Sequence, residues 1–242
     1  MKRVLAAIAL GMMAVLLTGP GLALANPGDD PVNEPAPTGF VIPETVDVQE
    51  FASYDKVFLD KVKQAGLWEI PSGDWAEKRG ASDQTRIVGK LIAADHRVLD
   101  DDVKRVAARF TYTLPTKPTA DQQMWLDEMQ AAKGKDFDRI FAQRLHFAHG
   151  LVYQAIADVR AHSRNPLMRA FAKQCEIFVN RHMALLESTG EVDFNTLPKP
   201  VIPKGNLRAA DNRTKPMMFI ALFAVTGAIG IAGVARALRG AV

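Results

Sequence analysis

From Phe51 to Leu186, apolar residues recur at three- and four-residue spacing, the period of helices that bury one face. Phe51, Tyr54, Phe58, Leu59, Val62, Leu67 and Trp68 predict a first helix over about 50–69. Pro71 and Gly73 are expected to kink or break it before a short continuation over Asp74–Arg79, because proline lacks the backbone donor and crowds the preceding turn. Ser82 caps a second helix reaching about Ala108, with Ile87, Val88, Leu91, Ile92, Leu99, Val103 and Val106 on its apolar stripe. Pro115 and Pro118 keep 109–119 out of ordinary helix. Thr119 then stands three residues before Gln122, a capping-box spacing, and opens a short helix carrying Met124, Trp125, Leu126 and Met129, which stops around Gly134. A third long helix follows over Asp136–His162, with Phe137, Ile140, Phe141, Leu145, Leu151, Ile156 and Val159 inward. Asn165 and Pro166 cap and open the fourth, which runs to Ser188 and buries Phe171, Cys175, Phe178, Val179, Leu185 and Leu186. Period-two alternation is absent. The expected fold is all-α, a bundle of four antiparallel helices with one short extra helix, over 50–190.

The ends of the chain follow other patterns. Lys2 and Arg3, an apolar run from Val4 to Leu17, Gly19-Pro20-Gly21 and Ala23-Leu24-Ala25 have the order of a signal peptide over 1–25, cleaved after Ala25. Residues 26–49 hold five prolines among acidic residues and read as an extended or disordered leader. Residues 191–216 resemble them in proline content and read as a basic linker or stalk. Met217–Ala235 is nineteen residues without charge, closed by Arg213 and Lys215 on one side and Arg236 and Arg239 on the other. As helix it spans about 29 Å, the thickness of a bilayer core, and predicts one transmembrane helix. Export would place the bundle outside the cytoplasm of a single-pass membrane protein and leave 236–242 as a cytoplasmic tail, although the basic residues before the span point weakly the other way. Gly227, Gly230 and Gly233, with a row of alanines, permit a homodimer through this helix.

Composition narrows the function. The net charge is +3 in 242 residues, and the central region is nearly balanced, without the concentrated basic face that nucleic-acid binding needs. The single cysteine, Cys175, rules out an intrachain disulfide and a multi-cysteine metal centre; among Phe171, Phe178 and Val179 it is expected to be a small buried hydrophobe. No phosphate loop, dinucleotide fingerprint, nucleophile elbow or His-Glu-x-x-His is present, so no catalytic residue is assigned. The acidic run Asp100-Asp101-Asp102 reads as a solvated face.

The order of several short pieces resembles a ferritin-like family of exported bacterial proteins, the domain of unknown function 4142. They are Asp95-His96 on the second helix, Leu114-Pro115 in the loop, Gly134 and Phe137-Asp138 opening the third, His149 within it, and Phe171-Ala172 and His182 on the fourth. The resemblance covers about 54–189. Leu67-Trp68-Glu69-Ile70-Pro71 and Ala148-His149-Gly150 are similar to an actinobacterial variant. Glu176-Ile177-Phe178-Val179 departs from the leucine-proline usual before the last histidine. The resemblance implies a ferritin-like four-helix fold and no particular reaction.

One constellation carries chemistry. His96, His149 and His182 fall on three different helices near their apolar stripes, and Glu69 lies on the first. Imidazoles and a carboxylate suit zinc or iron, and a bundle can bring one ligand from each helix to its axis. No Glu-x-x-His exists, which disfavours a di-iron ferroxidase. Two readings stay open: a structural network in which each histidine satisfies itself by hydrogen bonds, and a mononuclear metal or small-ligand site. Asp95 or Asp100 could orient His96, or lie in solvent. His146 and His162 read as peripheral. Without catalytic motifs the domain is expected to be a non-enzymatic envelope module that contacts the membrane and a partner protein and needs no cofactor beyond a possible zinc or iron ion.

Overall fold

The computed structural model describes residues 30–45 and 50–200. Five α-helices account for most of them: α1 Ser53–Arg79, α2 Asp83–Arg109, α3 Ala120–Ala131, α4 Gly134–His162 and α5 Pro166–Ser188. There is no strand among the described residues. The predicted signal peptide, transmembrane helix, its dimer face and the tail lie outside them. No described helix is long and apolar enough to cross a membrane.

The expected caps form. The Ser82 hydroxyl accepts from the Thr85 amide, Thr119 and Gln122 close a capping box, and the Asn165 side chain accepts from the Met168 amide ahead of Pro166. These side chains satisfy amides that the first helical turn leaves without partners.

Pro71 does not divide the first helix. α1 runs unbroken through it, and the Ser72 hydroxyl donates to the Trp68 carbonyl at 2.6 Å in the turn that the proline disturbs. Gly73 has a packing role instead. A Cβ on Gly73 would lie 2.5 Å from the Gly89 carbonyl oxygen, and one on Gly89 would lie 2.4 Å from Ala76 Cβ. The paired glycines let α1 and α2 approach backbone to backbone.

Contacts between helix ends fix the directions. At one end of the bundle, the Ala81 and Ser82 amides donate to the Asp138 carboxylate at 2.8 and 2.9 Å, and Gln84 donates to the Ser188 hydroxyl. At the other end, the Tyr54 hydroxyl donates to the His162 carbonyl. Thus α1 and α5 run one way, and α2 and α4 run the other. The chain from Phe110 through α3 crosses the length of the bundle to join α2 to α4, so these two helices are parallel and not antiparallel as a simple up-and-down order predicts.

The core falls into two clusters. One gathers Phe58, Val103, Phe171 and Phe178 near the end where α1 begins, and the other gathers Trp68, Ile92, Phe137, Phe141 and Leu185 toward the opposite end. The buried polar residues Asp95, His96, His149 and His182 lie between them along α2, α4 and α5, and Glu69 follows Trp68 on α1. Three residues expected inward, Tyr54, Ile87 and Leu151, are exposed.

The segments flanking the helices are more ordered than their composition suggests. Residues 30–45 include a 3₁₀ turn at Pro31–Asn33 and then run extended along the bundle. The Phe40 amide donates to Asp102 at 2.8 Å, its carbonyl accepts from Arg105, and its ring lies 5.5 Å from that of Phe171. Past α5, the Asp193 amide and carbonyl pair with the Gln143 side chain, and the Phe194 ring meets His146. Side chains of the helices thus satisfy the backbone of both segments, which hydropathy patterning does not register.

Candidate metal centre

Each long helix contributes one residue to a buried layer: Glu69 from α1, His96 from α2, His149 from α4 and His182 from α5. All four are at most 3% exposed. The three histidines each place a ring nitrogen within 4.8 Å of the other two. Glu69 Oε2 is 3.0 Å from His96 Nε2 and 3.6 Å from His149 Nε2. The residues marked out by the sequence therefore come together. Their common depth does not come from alternating directions, because α2 and α4 are parallel; His96 and His149 simply sit at comparable distances from the starts of their helices.

The outer partners of two rings define what the inner nitrogens can do. His149 Nδ1 lies 2.7 Å from the Leu145 carbonyl, which can only accept, so this nitrogen carries a proton. His182 Nε2 lies 3.2 Å from Asp95 Oδ2, again an acceptor. The remaining nitrogens, His149 Nε2 and His182 Nδ1, face each other at 2.9 Å. With both outer nitrogens protonated and both rings neutral, two lone pairs meet there, beside the Glu69 carboxylate. A cation between them resolves the conflict, whether a proton or a metal ion. Among the described residues, His96 Nδ1 has no hydrogen-bond partner, and the 3.0 Å contact between His96 Nε2 and Glu69 Oε2 is poorly aligned for a hydrogen bond. Such unpaired buried polar atoms are costly, and a shared ligand would satisfy them.

Burial pushes His149 below the usual imidazole range and His182 well below it, which disfavours a proton as the bridging cation. Burial alone would raise the Glu69 carboxyl; the His96 and His149 imidazoles beside it outweigh that and hold it below the ordinary carboxylate range. Among the described residues, Glu69 has ion-pair contacts only with imidazoles. His149 and His182 thus offer neutral nitrogen donors beside one carboxylate, the protonation state that metal ligation requires.

Asp95 orients His182 and not His96. Its carboxylate also accepts from Arg181 Nε at 3.0 Å, and burial raises it against the lowering effect of that guanidinium. Arg181 escaped the sequence reading. Only its place next to His182 pointed to it, because a buried arginine is rare without a partner and the partner is 86 residues away in the chain. It reaches outward as well, donating to the Pro31 and Glu34 carbonyls at 3.3 and 2.9 Å, so the docked leader is tied through Arg181 and Asp95 to the histidine layer.

Other expectations need correction. Asp100–Asp102 is not simply a solvated face: Asp100 pairs with Lys63 and Lys104, and Asp102 is buried and holds Phe40 and Arg105, leaving Asp101 exposed. His146 is buried and lies 3.1 Å from a Glu187 oxygen, whereas His162 is exposed. Cys175 is a free buried thiol as expected, and burial pushes it far above its ordinary range. Phe178 and Val179 are buried on the same helix.

A family model described as a domain of unknown function, DUF4142, matches residues 43–188. The chain belongs to that family. No curated protein and no solved structure matches it.

Proposed function

We propose that this member of the family is a metal-binding helical module, which holds one divalent transition-metal ion, zinc or ferrous iron, on His96, His149, His182 and Glu69. The observation that carries this reading is the facing pair His149 Nε2 and His182 Nδ1, 2.9 Å apart with their outer nitrogens already committed to acceptors. A divalent ion bonds both lone pairs and balances Glu69, and three imidazoles with one carboxylate suit zinc or ferrous iron. Tetrahedral zinc places its ligand atoms about 3.3 Å apart. The histidine nitrogens lie within 4.8 Å, so small side-chain rotations close the site.

The single carboxylate supports one metal ion and not a dinuclear oxidase, since Asp95 is engaged by Arg181. The long crossover between two helical hairpins supports a ferritin-like arrangement of the bundle. The sequence of 1–25 and 217–235 supports an exported, membrane-anchored domain, in which the site would take its metal in the cell envelope, with or without a partner protein there.

Cobalt(II) titration of chelator-stripped protein tests the site directly. It should saturate at one ion per chain, with the intense visible bands of a low-coordinate nitrogen and oxygen environment, and His149→Ala should abolish them. A spectrum no different from free aqueous cobalt would leave the layer as a hydrogen-bonded structural network.

A further inference from the structure

The histidine layer is packed differently on its two sides. Toward the end of the bundle where α2 and α4 begin, Ile92, Leu145 and Leu185 are fully buried beside it. On the other side lies a small cavity of about 20 Å³, lined by Glu69 and the three histidines and otherwise by Val62, Ala65, Leu99, Val152, Cys175 and Val179. The helix directions place all six on one side of the layer: Val62 and Ala65 precede Glu69 on α1, Leu99 follows His96, Val152 follows His149, and Cys175 and Val179 precede His182. A cavity of this size is far below the roughly 300–1,000 Å³ of pockets that take organic ligands and leaves room for a small molecule.

We infer that this void is a binding pocket for a neutral diatomic gas, of the class of dioxygen or nitric oxide, bound end-on to the metal. The inference rests on the metal-binding reading above. Four protein ligands leave a ferrous ion with open coordination positions. The space beside them is too small for an organic substrate. Its walls offer no charged or hydrogen-bonding side chain beyond the ligands themselves and the Cys175 thiol, so an anion would have the metal alone to offset its lost hydration. A small apolar ligand meets neither obstacle.

The full-length protein is loaded anaerobically with ferrous iron, its iron content measured, and nitric oxide added. The expected result is one iron per chain and the electron paramagnetic resonance signal of a high-spin iron nitrosyl, undiminished by excess azide. Ala65→Leu, which fills the void from α1, should retain the iron and lose the nitrosyl; Ile177→Ala, exposed on α5 and outside the void, should retain both. Stoichiometric iron without a nitrosyl in the unmodified protein would overturn the gas pocket alone. Displacement of nitric oxide by azide would overturn its selectivity for neutral ligands. Absence of bound iron would overturn the gas pocket and the ferrous form of the metal reading, and the cobalt titration above then decides whether the site holds any metal.

Discussion

One carboxylate oxygen, Asp95 Oδ2, lies 3.0 Å from Arg181 Nε and 3.2 Å from His182 Nε2. Burial raises this carboxyl and the arginine works against that rise, while the carboxylate in turn fixes which nitrogen of His182 faces the layer. Outer partners of this kind set the tautomer and basicity of a metal-bound imidazole. Asp95→Asn is therefore expected to weaken metal affinity by about 10–100-fold while the helical content is kept. Competition with a chromophoric chelator measures this. Wild-type affinity in the variant would mean that His182 is oriented by packing alone.

The close crossing of α1 and α2 makes opposite predictions for two glycines. Gly89→Ala drives a methyl group to within 2.4 Å of Ala76 Cβ and should cost about 1–3 kcal/mol by overpacking. Gly150 lies in α4 with no atom of the described residues within 4 Å of its added Cβ, so Gly150→Ala should stabilise by up to about 1 kcal/mol through helix propensity. Urea unfolding of both variants checks the signs, and equal effects would contradict the crossing.

The leader supplies a test of its own. The Phe40 amide donates to the buried Asp102 carboxylate and should exchange slowly with solvent. Asp102→Ala should raise its exchange rate toward that of an unstructured peptide, as read by hydrogen-exchange mass spectrometry. Fast exchange in the unmodified protein would show the leader detached.

Asp100 predicts a pH dependence. Burial alone would raise its carboxyl, but hydrogen bonds and charge from Lys104 and Lys63 outweigh that and hold it low. A carboxyl lowered in the folded state contributes stability that is fully present above its unfolded value, about 3.9, and is lost as pH falls through the folded value. Asp100→Asn should thus cost up to about 1 kcal/mol at neutral pH, as expected of a partly exposed pair, and the difference should begin to shrink below about pH 4 and vanish only below the lowered folded value. Paired denaturation curves across this range measure it; a difference that grows in acid would reverse the assigned sign.

The helices were legible in the sequence because each carries its own apolar stripe and its own cap, and the four layer residues stood out as polar groups interrupting those stripes. What was not legible depends on distant parts of the chain. Pro71 reads as a breaker until Ser72 and the Gly73–Gly89 contact show that the helix is held by its neighbour. Arg181 and Asp95 are two charges of ordinary appearance until folding brings them together, and Phe40 has no periodic partner because its amide is satisfied by Asp102. The parallel course of α2 and α4 follows from a crossover whose length, and not whose composition, allows it.

The central claim is that the buried histidine layer binds a metal ion, and the most direct measurement is the metal content of the protein purified without a polyhistidine tag, together with its melting temperature before and after a chelator. An ion that binds only the folded chain stabilises it with the logarithm of free metal over the dissociation constant. The predicted result is about one zinc or iron per chain, with a melting temperature lowered by several degrees on chelation, and neither metal nor chelator effect in His149→Ala. Protein that carries no metal, takes none up from micromolar zinc or ferrous iron, and melts at the same temperature with and without chelator would contradict it.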